Sequence, residues 1–364
     1  MASGAPPSGG LDGVVAAETR LSDVDGELGR LIVAGHDIET LAGSWSFEAV
    51  AALLLDTDEP ALRAALGRGR VAAFARLDRL LAGGTLDFVD GMDALRAATA
   101  QLPGTQHDQE TSAAHVIAAV GTFAVAWARV RAGAPPVAPD PAASHAHDLL
   151  RALRGATPTA AEVAAFESYL VTVIDHGMNA STFTARVVAS TASDLVSCVT
   201  AAIGALKGPL HGGAPGPVLD MLDAVGSAER AEPWVRAELE AGRRVMGMGH
   251  RIYRVRDPRA AVLEKALLQL EKTSSGAGKR LALARSVEKA AERVLAERHP
   301  DRPLKANVEF YTAVVLEACG VPRTLFSPVF GASRVVGWCA HVAEQRATGR
   351  LIRPASCYIG PRPA

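Results

Sequence analysis

The sequence predicts an all-α protein, and composition is the first reason. Hydrophobic residues make up 49% of the 364 residues but aromatic residues only 5%, whereas strands favour β-branched and aromatic side chains. Periodicity is the second reason, because apolar residues recur at i, i+3, i+4 and i+7 on one helix face: Phe47, Val50, Ala51 and Leu54. A chain of this length buries roughly 75% of its unfolded surface, enough for one large core or two domains.

The amino-terminal part lacks helical periodicity. Residues 1–12 are mostly small and polar and predict a disordered tail, while Leu11 to Ile38 predict irregular structure or short strands. Helices are expected from Phe47 onward. The apolar run from Val116 to Ala128 has about 13 residues, fewer than the roughly 20 that span a bilayer. It predicts a buried core helix.

Prolines and turn residues divide the rest of the chain. Four prolines between Ala134 and Ala142 predict a surface connection, since proline ends helices. Single core helices are expected over 144–154, 159–174 and 182–206, apolar helices over 310–319 and 335–342, and an exposed loop over 273–278. Residues 215–303 are more charged. We therefore expect a large domain over 13–214, a small domain over 215–315 and a return to the large domain over 316–364.

Charge and cysteine usage narrow the class of protein. The formal net charge is -1, from 38 basic and 39 acidic residues, so no partner nucleic acid or membrane surface is expected. The four cysteines are scattered without a C-x-x-C pair, which suits a reducing cytosol and predicts no metal site. The amino terminus lacks the charged and apolar regions of a signal peptide. We expect a cytoplasmic protein.

His211 is the first candidate for chemistry. It lies between Pro209 and two glycines, a context that ends a helix and lets the backbone approach a ligand closely. A solvent-exposed loop histidine is the alternative interpretation. A catalytic role for His211 is indicated only together with a second histidine, His250, and a carboxylate, Glu309. Two imidazoles and one acid suit the enolisation of a carbon acid.

His250 follows a glycine-containing turn and precedes several arginines. The G-x-G of this turn lacks the third glycine and the preceding strand of a dinucleotide fingerprint, so a Rossmann site is not predicted. Free backbone groups beside guanidiniums suit a phosphorylated, nucleotide-bearing ligand. A solvated basic turn is an equally good interpretation of this stretch alone.

The remaining candidates each have an ordinary structural explanation. His176 is a polar ring where two core helices meet, and a satisfied core histidine is the usual case. Asn179 can cap the next helix, and a carboxylate at Glu309 is favoured by the start of its helix. Arg334 and Arg353 could each be a surface charge.

Five strings, taken in order, resemble the citrate synthase family over nearly the whole chain. They are DHGMNASTFTARVVAS from Asp175, GPLHGGA from Gly208, MGMGHRIYRVRDPR from Met246, NVEFY from Asn307 and FGASRVVG from Phe330. The resemblance implies a homodimer of helical subunits, each with a large domain and a small mobile domain that close over the substrates. It also implies no tightly bound cofactor, with acetyl-CoA as cosubstrate and oxaloacetate as acceptor.

The resemblance also assigns roles. His211 would stabilise the enol of acetyl-CoA, His250 would polarise the ketone of oxaloacetate, and Glu309 would take the methyl proton. Oxaloacetate would be bound by His176, Asn179, Arg259, Arg334 and Arg353, the last from the neighbouring subunit. Coenzyme A would contact Val245, Met246, Gly247, Met248, Gly249 and Arg254.

Residue chemistry agrees with these roles, and two departures stand out. A carboxylate deprotonates a thioester only if the enolate oxygen receives a preorganised hydrogen bond, and guanidiniums bind carboxylates bidentately. The family usually has Asn-Val-Asp where this chain has Asn307-Val308-Glu309, one methylene longer. A shift of about 1 Å in a catalytic group can cost about 100-fold, so the backbone has adjusted or the enzyme is slower. The string at Gln106 to Glu110 also departs from the family.

Three alternatives to citrate formation remain at this stage. Propionyl-CoA in place of acetyl-CoA would give 2-methylcitrate, and one methylene changes binding by only roughly 1 to 3 kcal/mol. A non-catalytic homologue that binds a dicarboxylate or CoA as a sensor is a second alternative, suggested by Glu309. A nucleotide-dependent oxidoreductase is the weakest, since no alternating strands and helices surround Gly247 and Gly249.

Overall fold

The computed structural model describes residues 11, 13–106, 109–211, 215–249, 253, 255–272, 275–300, 304–361 and 363. Helices cover 62% of the chain, so the predicted all-α class is confirmed. The first eight helices are Ile38–Leu41 (α1), Phe47–Leu54 (α2), Glu59–Phe74 (α3), Leu77–Ala82 (α4), Gly91–Ala100 (α5), Ala113–Arg131 (α6), His145–Arg154 (α7) and Ala160–Thr172 (α8). The other eight are Ala180–Ala189 (α9), Leu195–Leu206 (α10), Pro215–Val225 (α11), Ala231–Glu240 (α12), Pro258–Glu271 (α13), Ser275–Arg298 (α14), Val308–Ala318 (α15) and Phe326–Thr348 (α16).

Short strands precede the helices, as predicted for the amino-terminal part. Ser22–Asp25 (β1), Arg30–Val33 (β2) and His36–Asp37 (β3) form an antiparallel sheet in sequence order. A second antiparallel pair joins Thr105–Gln106 (β4) and Gln109–Glu110 (β5). Two short 3₁₀ helices, Ala228–Arg230 and Arg323–Leu325, complete the regular structure of the described residues.

Capping side chains explain where many helices begin. An Asp, Asn, Ser or Thr at the N-cap accepts a backbone N–H of the first turn, which satisfies a donor that the helix itself leaves unpaired. Helix α8 has a full capping box, in which Glu162 also reaches back to Thr159. The N-caps of the helices that carry or follow candidate site residues are Asn179 for α9, Asp257 for α13 and Asn307 for α15.

Two long helices, α6 and α16, form the centre of the first core. Helix α6 packs on α3, α5, α7 and α16, and α16 also packs on α9 and α10. Residues 116–128 of α6 are all buried, which confirms the predicted core helix. At 19 residues α6 is longer than the predicted run and apolar enough to cross a membrane by composition, but most of it lies inside the protein.

Helices α11 to α15 pack mainly on one another, and α13 also packs on α8 of the first core. The division into domains at 214 and 315, with the mobility of the smaller one, stays a prediction.

Two predicted elements were wrong. The single helix over Thr182 to Leu206 is two helices, α9 and α10, because the chain turns between them with Ala192 at φ +63° and Asp194 starts α10 as its N-cap. The exposed loop over 273–278 is largely helix, since α14 begins at Ser275; its first two residues lie outside the described part of the chain.

Candidate active site

Arg334 of α16 is a buried cation. Its side chain is 2% exposed, its Nε donates to the Val173 carbonyl at 2.7 Å, and its guanidinium lies 4.7 Å from the centre of the Phe330 ring. Among the described residues no carboxylate forms an ion pair with it. Burial lowers the pKa of Arg334 to about 10; the charge of the nearby Asp175 opposes this shift and that of Arg259 adds to it. A buried guanidinium that forms no direct ion pair within the described residues is suited to bind a carboxylate of a ligand.

Arg259 is buried too, but it is held by an aspartate. Its Nε and Nη2 donate to the two oxygens of Asp257, at 3.0 and 2.7 Å. The same carboxylate caps α13 and accepts the backbone N–H of Val308 at 3.1 Å. Asp257 therefore ties the arginine to the start of α15, which carries Glu309. The charge of Arg259 lowers the pKa of Arg334, so the two guanidiniums lie within electrostatic reach of each other.

Glu309 has the electrostatics of a base that works near neutral pH. It lies in the first turn of α15, where its backbone N–H donates to the side chain of Asn307 at 3.0 Å. Burial raises the pKa of Glu309 to about 7, although Arg259 and Arg244 oppose the rise and Asp257 adds to it. A carboxylate whose pKa is near the working pH is a stronger base than an exposed one, yet is still largely ionised at pH 8.

His211 is a neutral imidazole with a defined tautomer. Its Nε2 lies 3.3 Å from the backbone N–H of Ser181 and 2.8 Å from the Ser181 hydroxyl. Because the N–H points at Nε2, that nitrogen accepts, and the proton of the neutral ring lies on Nδ1. Burial, together with the nearby charge of Arg334, lowers the pKa of His211 to about 4. His211 therefore offers one N–H donor to a ligand without a positive charge.

Ser181 is fixed on its other side as well. Trp338 of α16 donates its indole N–H to the Ser181 hydroxyl at 3.1 Å, and that hydroxyl lies 2.8 Å from Oδ1 of Asn179. Asn179 also caps α9 through the Thr182 N–H. The amide of Asn179 thus supports Ser181 and through it His211. The direct contact between Asn179 and substrate stays a prediction.

His176 links the two parts of the chain. Its Nε2 lies 3.2 Å from the hydroxyl of Tyr253, and the two rings meet edge to face at 5.8 Å. Tyr253 in turn lies beneath Arg259, with 5.7 Å between the guanidinium and the ring centre. The connection between α8 and α9 is therefore joined to the segment that leads into α13. We call the site formed by these side chains the central site: His176, His211, Arg259, Glu309 and Arg334.

The turn Val245 to Gly249 runs beside α15. Met248 forms an isolated antiparallel bridge with Ala306, and Asn307 holds both glycines of the turn, through its backbone to Gly247 and its side chain to Gly249, at 2.9 Å each. Gly247 has φ +73°, and a Cβ there would lie 2.9 Å from Phe310. The two glycines therefore allow a left-handed turn that packs tightly on the helix of Glu309.

A basic pocket opens on this turn. It is a cavity of about 580 Å³, and Val245, Met248 and Gly249 form part of its wall. Its other lining residues include four basic side chains: Arg243, Arg244, Arg298 and His299. A pocket with backbone groups on one wall and guanidiniums on another suits phosphate groups. Met246, the other side chain of the turn, does not line this pocket and is exposed to solvent.

Three of the predicted site residues are not found in the central site. His250 and Arg254 lie outside the residues that the structure describes, so their roles stay predictions. Arg353 is exposed on the carboxyl-terminal arm that follows α16, and the described contacts do not join it to the central site. The arm itself is attached to the first core by the Ile352 N–H, which donates to Ser190 at 3.0 Å.

Sequence reasoning missed the residues that support the site. In the sequence, Ser181 stands out only as part of a string that can cap a helix. Tyr253 and Asp257 are notable only as neighbours of arginines. Arg298 is one of several charges near the end of an amphipathic helix. Their roles depend on contacts between residues far apart in the chain. The available signal for Asp257 was its position before a proline that starts a helix.

Comparison with known proteins agrees with the geometry. A family model described as the C-terminal domain of citrate synthase matches residues 10–355. A putative citrate synthase 2 of Mycobacterium tuberculosis is 38% identical and covers 97% of this chain and 93% of its own. A 2-methylcitrate synthase of the same organism is 36% identical, with 96% and 90% covered. The solved ternary complex of Thermoplasma acidophilum citrate synthase with carboxymethyl coenzyme A and oxaloacetate is 26% identical, with a TM-score of 0.84 and 97% and 96% covered.

Proposed function

The chain belongs to the citrate synthase family, and from that premise we propose that it condenses acetyl-CoA with oxaloacetate and hydrolyses citryl-CoA to citrate and CoA. One observation carries the proposal. A base whose pKa is raised to about 7, a neutral imidazole and two buried guanidiniums lie within electrostatic reach of one another. These are the groups that a carbon acid and a dicarboxylate require.

The reaction begins with proton transfer. Glu309 removes a proton from the methyl carbon of the thioester, and the Nδ1 proton of His211 forms a hydrogen bond to the carbonyl oxygen on which charge develops. The enol carbon then attacks the ketone of oxaloacetate, which forms the new carbon–carbon bond and leaves an alkoxide. By family resemblance His250 supplies the proton for that oxygen. Water finally cleaves the thioester, which releases CoA as its thiol.

Oxaloacetate is positioned by cations. Arg334 has no ion-pair partner among the described residues and would bind one carboxylate of oxaloacetate, while Arg259, although paired with Asp257, adds a second guanidinium nearby. His176 lies beside Arg259 through Tyr253. We propose that Arg353 completes the set from a second subunit, which makes the enzyme a homodimer, and that it acts in the cytoplasm without a tightly bound cofactor. The exposed position of Arg353 supports this arrangement.

Coenzyme A is proposed to bind along the Val245 to Gly249 turn. The basic pocket supplies positive charge for phosphates, and the lack of side chains at Gly247 and Gly249 lets the turn pack closely on Phe310 and Leu304. The turn is attached to α15 by Asn307. The thioester end of a ligand on this turn would therefore lie towards Glu309, which starts the same helix.

The choice of acyl group has a direct test. Purified protein is supplied with acetyl-CoA or propionyl-CoA, each with and without oxaloacetate, and the release of thiol is recorded to give kcat/KM. We expect oxaloacetate-dependent release with a higher kcat/KM for acetyl-CoA. A preference for propionyl-CoA would make the enzyme a 2-methylcitrate synthase. No oxaloacetate-dependent release with either thioester would leave a ligand-binding homologue and refute the proposed function.

A further inference from the structure

A chain of buried polar groups begins at the residue that precedes His176. The carboxylate of Asp175, the residue before it, accepts a hydrogen bond from the Ser22 hydroxyl of β1, and its Oδ2 lies 3.2 Å from Nε2 of His341 on α16. Nδ1 of His341 lies 3.0 Å from Nη1 of Arg186 on α9. Asp175 and His341 are fully buried, and Arg186 is 1% exposed. We call this set the Asp175 network: Ser22, Asp175, Arg186 and His341.

The geometry fixes the proton positions in the network. A guanidinium has only donors, so Nδ1 of His341 accepts from Arg186. The N–H of the ring is then on Nε2 and points at Asp175. Arg186 is balanced in turn by Glu344, whose Oε2 is 2.6 Å from Nη1. Each member thus orients the next, in the order Glu344, Arg186, His341 and Asp175.

The network also fixes the backbone on both sides of His176. The Ser22 hydroxyl, which donates to Asp175, accepts the backbone N–H of Gly177 at 2.8 Å. On the other side Gly337 of α16 lies against Asp175, where a Cβ would be 2.6 Å from Oδ1. Residues 175–177 therefore have little freedom to move while Ser22 and His341 stay bonded to Asp175.

We propose that Asp175, His341 and Arg186, with Ser22, are positioning residues that hold His176 in place for oxaloacetate. The inference rests on the proposed function, because it assigns the purpose of the network to the oxaloacetate subsite. A buried ion-pair network is expensive to maintain, and apolar residues often stabilise a core equally well. Its position at the residue that precedes one predicted substrate ligand gives a functional reason for that cost.

The chain contains a matched control. His145 is fully buried, its Nδ1 lies 3.4 Å from Nη1 of the buried Arg70, and Arg70 pairs with the buried Asp148 at 2.7 Å. This second network joins α3 to α7 and contacts none of the residues of the central site in the described structure. It therefore has the same residue types and a similar burial to the Asp175 network at a different place in the fold, although Arg70 pairs with Asp148 directly and not through the histidine.

The test is the binding of oxaloacetate by calorimetry, together with its KM. His341→Leu is chosen over substitution of Arg186, because Arg186 also binds Gln345, which contacts the carboxyl-terminal arm at Arg350. We expect His341→Leu to weaken oxaloacetate binding about 10-fold or more, with the KM for acetyl-CoA within twofold of wild type. His341→Gln, which can donate to Asp175 and accept from Arg186, should restore most of the affinity.

A purely structural role predicts a different pattern. His145→Leu should lower the melting temperature and leave oxaloacetate affinity unchanged, and His341→Leu would behave in the same way if its role were structural. Ser22→Ala, at the edge of the network, provides a milder variant if His341→Leu does not fold, with an expected loss of about threefold to fivefold. If the folded variants bound oxaloacetate with wild-type affinity, the inference about the Asp175 network would be wrong while the proposed function would stand. If wild-type protein neither binds oxaloacetate nor releases thiol, the proposed function fails and the inference falls with it.

Discussion

The backbone N–H of Ser181 points at Nε2 of His211 across 3.3 Å, which leaves the ring proton on Nδ1. The Ser181 hydroxyl adds a second contact at 2.8 Å and is held in turn by Trp338. A neutral donor of fixed orientation follows from these contacts, and it is what a developing enolate requires. The tautomer therefore depends on α9 and α16 rather than on His211 alone.

The first prediction concerns this donor. His211→Ala should lower kcat by about 100-fold to 1,000-fold, the usual cost of removing one donor to a developing oxyanion. Ser181→Ala keeps the backbone N–H and should cost only about 10-fold. The measurement is kcat at saturating substrates. Equal losses in the two variants would show that the backbone contact does not orient the ring.

The second prediction concerns pH. Burial raises the pKa of Glu309 to about 7, so the carboxyl is protonated below that value and the base form is lost as pH falls. We expect kcat/KM for acetyl-CoA to fall about tenfold per unit below pH 7 and to level off above it. His211, with its pKa lowered to about 4, stays neutral over this range. A profile that is flat from pH 8 to pH 5 would contradict the assignment of Glu309.

The third prediction compares two buried arginines. Arg334→Met removes a buried cation that forms no ion pair in the described part of the chain, so the unliganded protein should be at least as stable as wild type. Arg259→Met leaves Asp257 buried without its partner and should cost about 3 to 5 kcal/mol. Unfolding in denaturant measures both. A large loss of stability in Arg334→Met would show that the protein itself supplies the missing anion.

Wild type and Arg334→Met should also differ in how much oxaloacetate raises their free energy of unfolding. Oxaloacetate at 100 times its Kd stabilises a folded protein by about 2.7 kcal/mol. Wild type should show this gain and Arg334→Met should lose most of it. A full gain in Arg334→Met would remove Arg334 from the oxaloacetate subsite.

The fourth prediction concerns the basic pocket. Arg298→Ala should raise the KM for acetyl-CoA about 10-fold, because it removes a positive charge from the wall beside the turn at 245–249. Its effect should be smaller with a thioester of dephospho-CoA if the contact is to the 3′-phosphate. Arg285→Ala, which removes an exposed arginine paired with Glu264 outside the pocket, is the control. Identical kinetics of the two variants would place coenzyme A elsewhere.

Local signals in the sequence accounted for most helices. Capping residues such as Asn179, Asp257 and Asn307 mark the helix starts at the site, and their backbone bonds form within a few residues. The break at Ala192 was missed because apolar residues continue on both sides of it, and only the backbone turn separates α9 from α10. The helix at Ser275 was missed because Gly and Ser lower helix propensity, which packing can override.

The candidate site was predictable as a set of residue types, but not as a set of contacts. Histidines beside glycines and an acid at a helix start suggested the chemistry of His211 and Glu309. The supporting residues could not be found in this way, since Ser181 and Trp338 are 157 positions apart, and Ser22 and Asp175 are 153 apart. Burial, which raises the pKa of Glu309, likewise depends on the whole fold.

The most direct test follows the methyl carbon. Acetyl-CoA labelled with ¹³C in its methyl group is incubated with oxaloacetate, and the product is observed by NMR for wild type and Glu309→Gln. The account predicts citrate labelled in a methylene carbon with wild type, and neither this product nor exchange of the methyl protons with Glu309→Gln. Label that remains in acetyl-CoA or appears in acetate with wild type, or normal methyl proton exchange with Glu309→Gln, would contradict it.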